Sequence, residues 1–87
     1  MVKLVGTGLQ DSQFNQLLNY MIKTKVHSVL LPNNDLQEIS LDALLNFSKM
    51  NSNLRTVSLQ RNNINKLNSV VKSKINLIGR KGITLYI

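Results

Sequence analysis

Apolar residues along this chain switch between two spacings, and the switch recurs every 26 to 28 positions. Val2 and Leu4, Val29 and Leu31, Val57 and Leu59, and Ile83 and Leu85 stand two apart, which puts each pair on one face of an extended segment. Between the pairs the spacing becomes helical: Phe14, Leu17, Leu18 and Met21 fall at i, i+3, i+4 and i+7 and form one stripe. Leu41, Leu44, Leu45 and Met50 form a second stripe, and Leu67, Val70 and Val71 a third after a two-residue deletion. The pattern predicts strands over about residues 2–5, 28–32, 56–60 and 83–86, and helices over about 12–25, 41–50 and 66–74. Asp11 or Ser12 serves as N-cap of the first helix and Ser40 of the second, where Asp42 in the first turn suits the helix dipole. The β-branched pair Val70 and Val71 lowers helix propensity, so the third helix is expected to be short or frayed.

The recurrence extends to individual residues. Val29-Leu30-Leu31-Pro32-Asn33-Asn34-Asp35-Leu36 returns 28 positions later as Val57-Ser58-Leu59-Gln60-Arg61-Asn62-Asn63-Ile64, and Val26 and Leu54 precede the two copies by three. Val2, Leu4, Thr7 and Leu9 make a fainter copy 27 residues upstream, and Ile83 and Leu85 open a fourth at a spacing of 26. Units of this length, each with one apolar face, bury that face by stacking on their neighbours. On these residues the chain resembles leucine-rich repeat proteins of the long, helix-containing ribonuclease-inhibitor type, whose units are roughly 28 residues. The resemblance spans nearly the whole sequence, with Thr7 in place of the expected Asn in the first unit. It implies an α/β fold, a short solenoid with parallel strands on its concave side and helices on its convex side. Residues 1–87 would then be a single domain of three repeats plus a terminal strand, or a fragment of a longer solenoid.

Asn34 and Asn62 have a physical role in this arrangement. Where the chain bends inward after a strand, backbone N–H and C=O groups lose their sheet partners, and an amide side chain satisfies both kinds. Stacked copies form a structural asparagine ladder, which Thr7 extends in part.

The formal net charge of +7 is unevenly placed. Residues 1–42 hold three Lys against Asp11, Asp35, Glu38 and Asp42, for a net −1. Residues 43–87 hold Lys49, Arg55, Arg61, Lys66, Lys72, Lys74, Arg80 and Lys81 with no acid, for a net +8. Such asymmetry favours acidic proteins, anionic lipid or nucleic acid as neighbours. With no cysteine the chain has neither disulfides nor thiolate ligands, and the N-terminal apolar run is too short for a signal peptide. No segment reaches the 18 or so apolar residues of a membrane span. These features point to an intracellular protein, cytoplasmic or nuclear.

The inventory for catalysis is thin. His27 is the only histidine, the acids are scattered, and Gly6-Thr7-Gly8 lacks the Lys-Ser/Thr of a phosphate loop. No metal, cofactor or enzymatic activity is expected. Asn46-Phe47-Ser48 matches the glycosylation sequon but falls inside a helix. What remains is surface. With Val29 and Leu31 facing the core, the concave face comprises Lys3, Val5, Ser28, Leu30, Pro32, Thr56, Ser58, Gln60, Arg61 and Tyr86, with Thr84 beside them and Asn33 at the rim. A Tyr and an Arg near an apolar patch are residue types that dominate interfaces. The expected function is a noncatalytic protein-interaction or scaffold module using this face and an edge strand, with edge-strand self-association also open. The alternative is an RNA- or polyanion-associated accessory domain built on the basic C-terminal half.

Overall fold

Strand and helix alternate throughout the computed structural model, which describes residues 1–50 and 53–87. The elements are β1 (Val2–Lys3), α1 (Asp11–Met21), β2 (Ser28–Leu30), α2 (Ile39–Ser48), β3 (Thr56–Ser58), α3 (Ser69–Arg80) and β4 (Thr84–Tyr86). The four strands make one parallel sheet in chain order. Val2, Val29, Val57 and Leu85 stand side by side across it, as do Lys3, Leu30, Ser58 and Tyr86. Beyond each strand the ladder continues by one bond, from Leu4 N–H to Leu30 C=O (2.9 Å), Leu31 N–H to Ser58 C=O (2.8 Å) and Leu59 N–H to Tyr86 C=O (2.7 Å).

Chain order fixes where the helices go. A crossover between neighbouring parallel strands is right-handed, so three crossovers in the same direction put all three helices on one face and leave the other open. Burial agrees with that division: Val29, Leu31, Val57 and Leu59 are fully buried in one cluster with Phe14, Leu18, Met21, Leu41, Leu44, Phe47, Val71 and Ile78. Among the described residues no helix is long and apolar enough to cross a membrane.

The strands are shorter than the alternation predicts, because the chain turns three residues after the ends of β1, β2 and β3. Asn33 and Arg61 adopt left-handed backbone (φ 57° and 60°), and Gly6 does the same in the first turn (φ 62°). The fourth unit begins later than the apolar spacing indicates: Val57 pairs with Leu85, an offset of 28 rather than 26, and Ile83 packs into the core ahead of the strand.

The helices also depart from expectation. α1 ends at Met21 rather than Lys25, where Thr24 N–H and Oγ1 both donate to the Met21 carbonyl (2.9 Å each) and turn the chain toward β2. Its N-cap is Gln10, whose N–H donates to Gln13 Oε1 (2.9 Å), which frees Asp11 for another task. α2 starts at Ile39 after Glu38, so Ser40 lies buried inside the helix rather than capping it. Phe47, not Met50, completes its buried stripe, and Met50 is 61% exposed beyond the helix end. α3 is the longest helix of the described chain, 12 residues, not a frayed one. Leu67 precedes it and is 78% exposed, Val70 is exposed, and the inward stripe runs Val71, Ile75 and Ile78. Asn68 caps it, its Oδ1 accepting from Val70 N–H (2.8 Å) and Val71 N–H (3.3 Å), and Gly82 at φ 87° lets the chain leave it.

Candidate functional site

The open sheet face is built by three rows of side chains at the strand register. Ser28, Thr56 and Thr84 form the first row, and Lys3, Leu30, Ser58 and Tyr86 the second. Val5, Pro32 and Gln60 follow as a third, aligned by bonds from Gly6 N–H to Pro32 C=O (3.3 Å) and from Asn33 N–H to Gln60 C=O (3.0 Å). Tyr86 is 50% exposed, Val5, Lys3 and Gln60 are exposed, and Leu30 and Pro32 are half-buried. Ser58 is only 8% exposed between its row neighbours Leu30 and Tyr86. The face therefore offers apolar Leu30 and Tyr86 on either side of Ser58, with Lys3 beyond Leu30. Arg61 stands at the rim, where its left-handed backbone costs about 1–2 kcal/mol.

The turns that set this face in place are fastened by Asn34 and Asn62. Asn34 Oδ1 accepts from Thr7 N–H (3.0 Å), Thr7 Oγ1 (3.0 Å) and Leu9 N–H (3.1 Å), while Nδ2 donates to Leu4 C=O (2.7 Å) and Pro32 C=O (3.2 Å). Asn62 Oδ1 accepts from Leu36 N–H (2.9 Å), and Nδ2 donates to Leu31 C=O (2.9 Å) and Leu59 C=O (3.0 Å). Each amide thus mends its own turn and the preceding one together. Thr7 takes part as a donor to Asn34 rather than as a bridge of the same kind.

No family model, curated protein or solved structure matches this chain.

Two polar links between helices were not legible in the sequence. Asp11 Oδ1 accepts from Gln37 N–H (2.9 Å) and from the Ser40 hydroxyl, tying the start of α1 to the start of α2. Lys74 Nζ on α3 lies 3.1 Å from Glu38 and 3.0 Å from Asp42 on α2. Hydrogen bonds to Asp42 and then Glu38 raise the Lys74 pKa above the ordinary lysine value. These partners are 26 to 36 residues apart, so only the tertiary arrangement brings them together. His27 lies at the surface with Nδ1 2.9 Å from the Asn53 carbonyl, a contact that a protonated Nδ1 satisfies. Among the described residues no three His, Cys, Asp or Glu side chains converge as metal ligands.

Proposed function

We infer that this chain is a noncatalytic interaction module, a short leucine-rich repeat solenoid whose open, concave sheet face holds a partner protein. The observation that carries this reading is the aligned row Lys3, Leu30, Ser58 and Tyr86 on the face that the helices leave bare. All-parallel sheets are ordinarily covered on both faces, so an open face that carries apolar side chains is a surface that gains by being covered. The recurring bonds of Asn34 and Asn62 support the repeat reading, since they hold successive turns in one geometry.

Capture of a partner by wild type beside a Leu30→Glu, Arg61→Glu double variant tests it. The proposal expects the folded variant to lose the partner, because a carboxylate replaces apolar Leu30 and the rim charge is reversed. Undiminished capture would remove the open face as the binding surface. The second reading, a polyanion-binding accessory domain, draws on exposed Lys66, Lys72, Arg80 and Lys81 around α3. Retention on RNA that falls steeply with salt would favour it, and no retention at low salt would eliminate it.

A further inference from the structure

Each helix returns to the sheet through a connection, leaving α1 at Met21, α2 at Ser48 and α3 at Arg80. Because the strands are parallel and follow chain order, the three connections lie side by side at the end of the sheet where the strands begin. They are tied to one another. Asn53 Nδ2 donates to Thr24 C=O (3.3 Å), Arg55 N–H to His27 C=O (2.8 Å) and Thr84 N–H to Arg55 C=O (2.8 Å). Each connection runs from a helix to the strand that follows it, so this surface owes nothing to either terminus.

Lys23, Lys25, Lys49, Arg55, Arg80 and Lys81 stand at this end, six of the eleven Lys and Arg of the chain, and all six are exposed. Residues 22–27, 49–55 and 80–83 contain no Asp or Glu. The four acids all lie at the opposite end: Asp11 opens α1, Asp35 and Glu38 stand between β2 and α2, and Asp42 is in the first turn of α2. The fold thus gathers the cations along the strand direction, since each of three units brings two of them to the same end. The helix dipole accounts for Arg80 in the last turn of α3 and for the C-caps Lys49 and Lys81. It does not account for Lys23, Lys25 and Arg55, which lie beyond the helices.

A row of cations without an acid draws a polyanion, and the apolar and aromatic content of this end says which kind. Met50, one residue past the α2 C-cap Lys49, is 61% exposed in the middle unit, with Lys23 and Lys25 in the unit before and Arg80 and Lys81 in the unit after. An exposed apolar side chain flanked by Lys and Arg fits an anionic bilayer, whose headgroups take the cations and whose interface takes the methionine. A single strand of nucleic acid stacks its bases on successive aromatic side chains, and residues 22–27, 49–55 and 80–83 contain none. The nearest aromatic, Tyr20 on α1, offers one platform rather than a series.

We propose that the end formed by these three connections docks on an anionic lipid bilayer, with Lys23, Lys25, Lys49, Arg80 and Lys81 against the headgroups and Met50 at the interface. The contact is peripheral, since no helix among the described residues is long and apolar enough to cross a membrane. Electrostatic attraction supplies most of the affinity, and the apolar contact fixes which end meets the lipid. The surface is separate from the open face and from Lys66 and Lys72 of the polyanion reading, and its test distinguishes them.

Because the chain has no tryptophan, Met50→Trp and Leu67→Trp place single reporters at the two ends, Leu67 being 78% exposed at the opposite one. The probe is a phosphatidylcholine vesicle holding about 30% phosphatidylserine, titrated in about 0.1 M salt. Met50→Trp should shift its emission to the blue and be quenched by brominated lipid, and Leu67→Trp should do neither. Vesicles of phosphatidylcholine alone should leave both unchanged. In cosedimentation, the Lys25→Glu, Lys49→Glu, Lys81→Glu protein should bind the anionic vesicles about tenfold or more weakly than the Lys3→Glu, Lys66→Glu, Lys72→Glu protein, which carries the same net charge. All six lysines are exposed, and circular dichroism checks that each variant is folded. No binding of the wild type to anionic vesicles, equal binding to phosphatidylcholine alone, equal loss in the two triple variants, or equal responses of the two reporters would each overturn the proposal. Absence of vesicle binding together with RNA retention that the first triple variant abolishes would overturn it in favour of nucleic acid.

Discussion

An asparagine that reaches from one turn into the preceding one must act as donor and acceptor at once, and few side chains of its size do both. Asn62 bonds Leu36 N–H through Oδ1 and Leu31 C=O through Nδ2, so a Leu at this position leaves both groups dry and unpaired. Asn62→Leu should lower stability by about 1–3 kcal/mol in urea unfolding, and a loss within error would mean water replaces the amide. Arg61 presents the opposite case, a residue at odds with its backbone. Asn33 occupies the same left-handed place in the preceding turn without that penalty, so Arg61→Asn should raise the urea midpoint by about 1 kcal/mol of stability. If the same variant also weakens partner capture, Arg61 is kept for contact at the cost of strain. The asparagines were legible in the sequence because their role follows from turn chemistry and a fixed offset. The partners of Asp11 and Lys74 were not, because a charge on a helix surface does not announce which distant group it will meet.

At the scale of elements, α3 shows which signals outrank apolar spacing. Leu67, Val70 and Val71 looked like a stripe, yet Asn68 and Gly82 bracket the helix and rotate it so that Val71, Ile75 and Ile78 face inward. Both brackets stand in the sequence: an Asn with a free amide oxygen starts a helix, and a glycine in left-handed backbone ends one. Ile78→Ala should cost about 2–5 kcal/mol, while Leu67→Ala should stay within about 0.5 kcal/mol, in equilibrium unfolding. Comparable losses at both would restore Leu67 to the core. The α2–α3 junction makes a pH prediction. Because the Lys74 pKa is raised in the folded state, its stabilisation is complete below the unfolded value of 10.5 and is lost as pH rises through the folded value. The stability difference between wild type and Lys74→Met should hold constant through the neutral range and shrink above about pH 10.5. A difference that stays flat into strong alkali would mean that Lys74 contributes packing rather than charge.

For the whole molecule, the decisive feature is that strand order equals chain order, which sends every helix to the same side. The alternating pattern made the four strands readable, since an offset of 27 or 28 carries Lys3 to Leu30 and on to Ser58. The start of the fourth unit was not readable, because Ile83 and Leu85 both accept an apolar environment and only pairing decides which one faces Val57. Pairing is accessible to a direct measurement, since the chain has no native cysteine to interfere. Ser28, Thr56 and Thr84 form one row on the open face, with neighbouring strands about 4.8 Å apart and the outer two near 9.6 Å. A disulfide tolerates Cα separations only to about 7 Å. On mild oxidation the Ser28→Cys, Thr56→Cys and the Thr56→Cys, Thr84→Cys proteins should each form an intramolecular disulfide, and the Ser28→Cys, Thr84→Cys protein should not. A bridge between positions 28 and 84, or none between 28 and 56, would contradict the sheet order on which the open face depends.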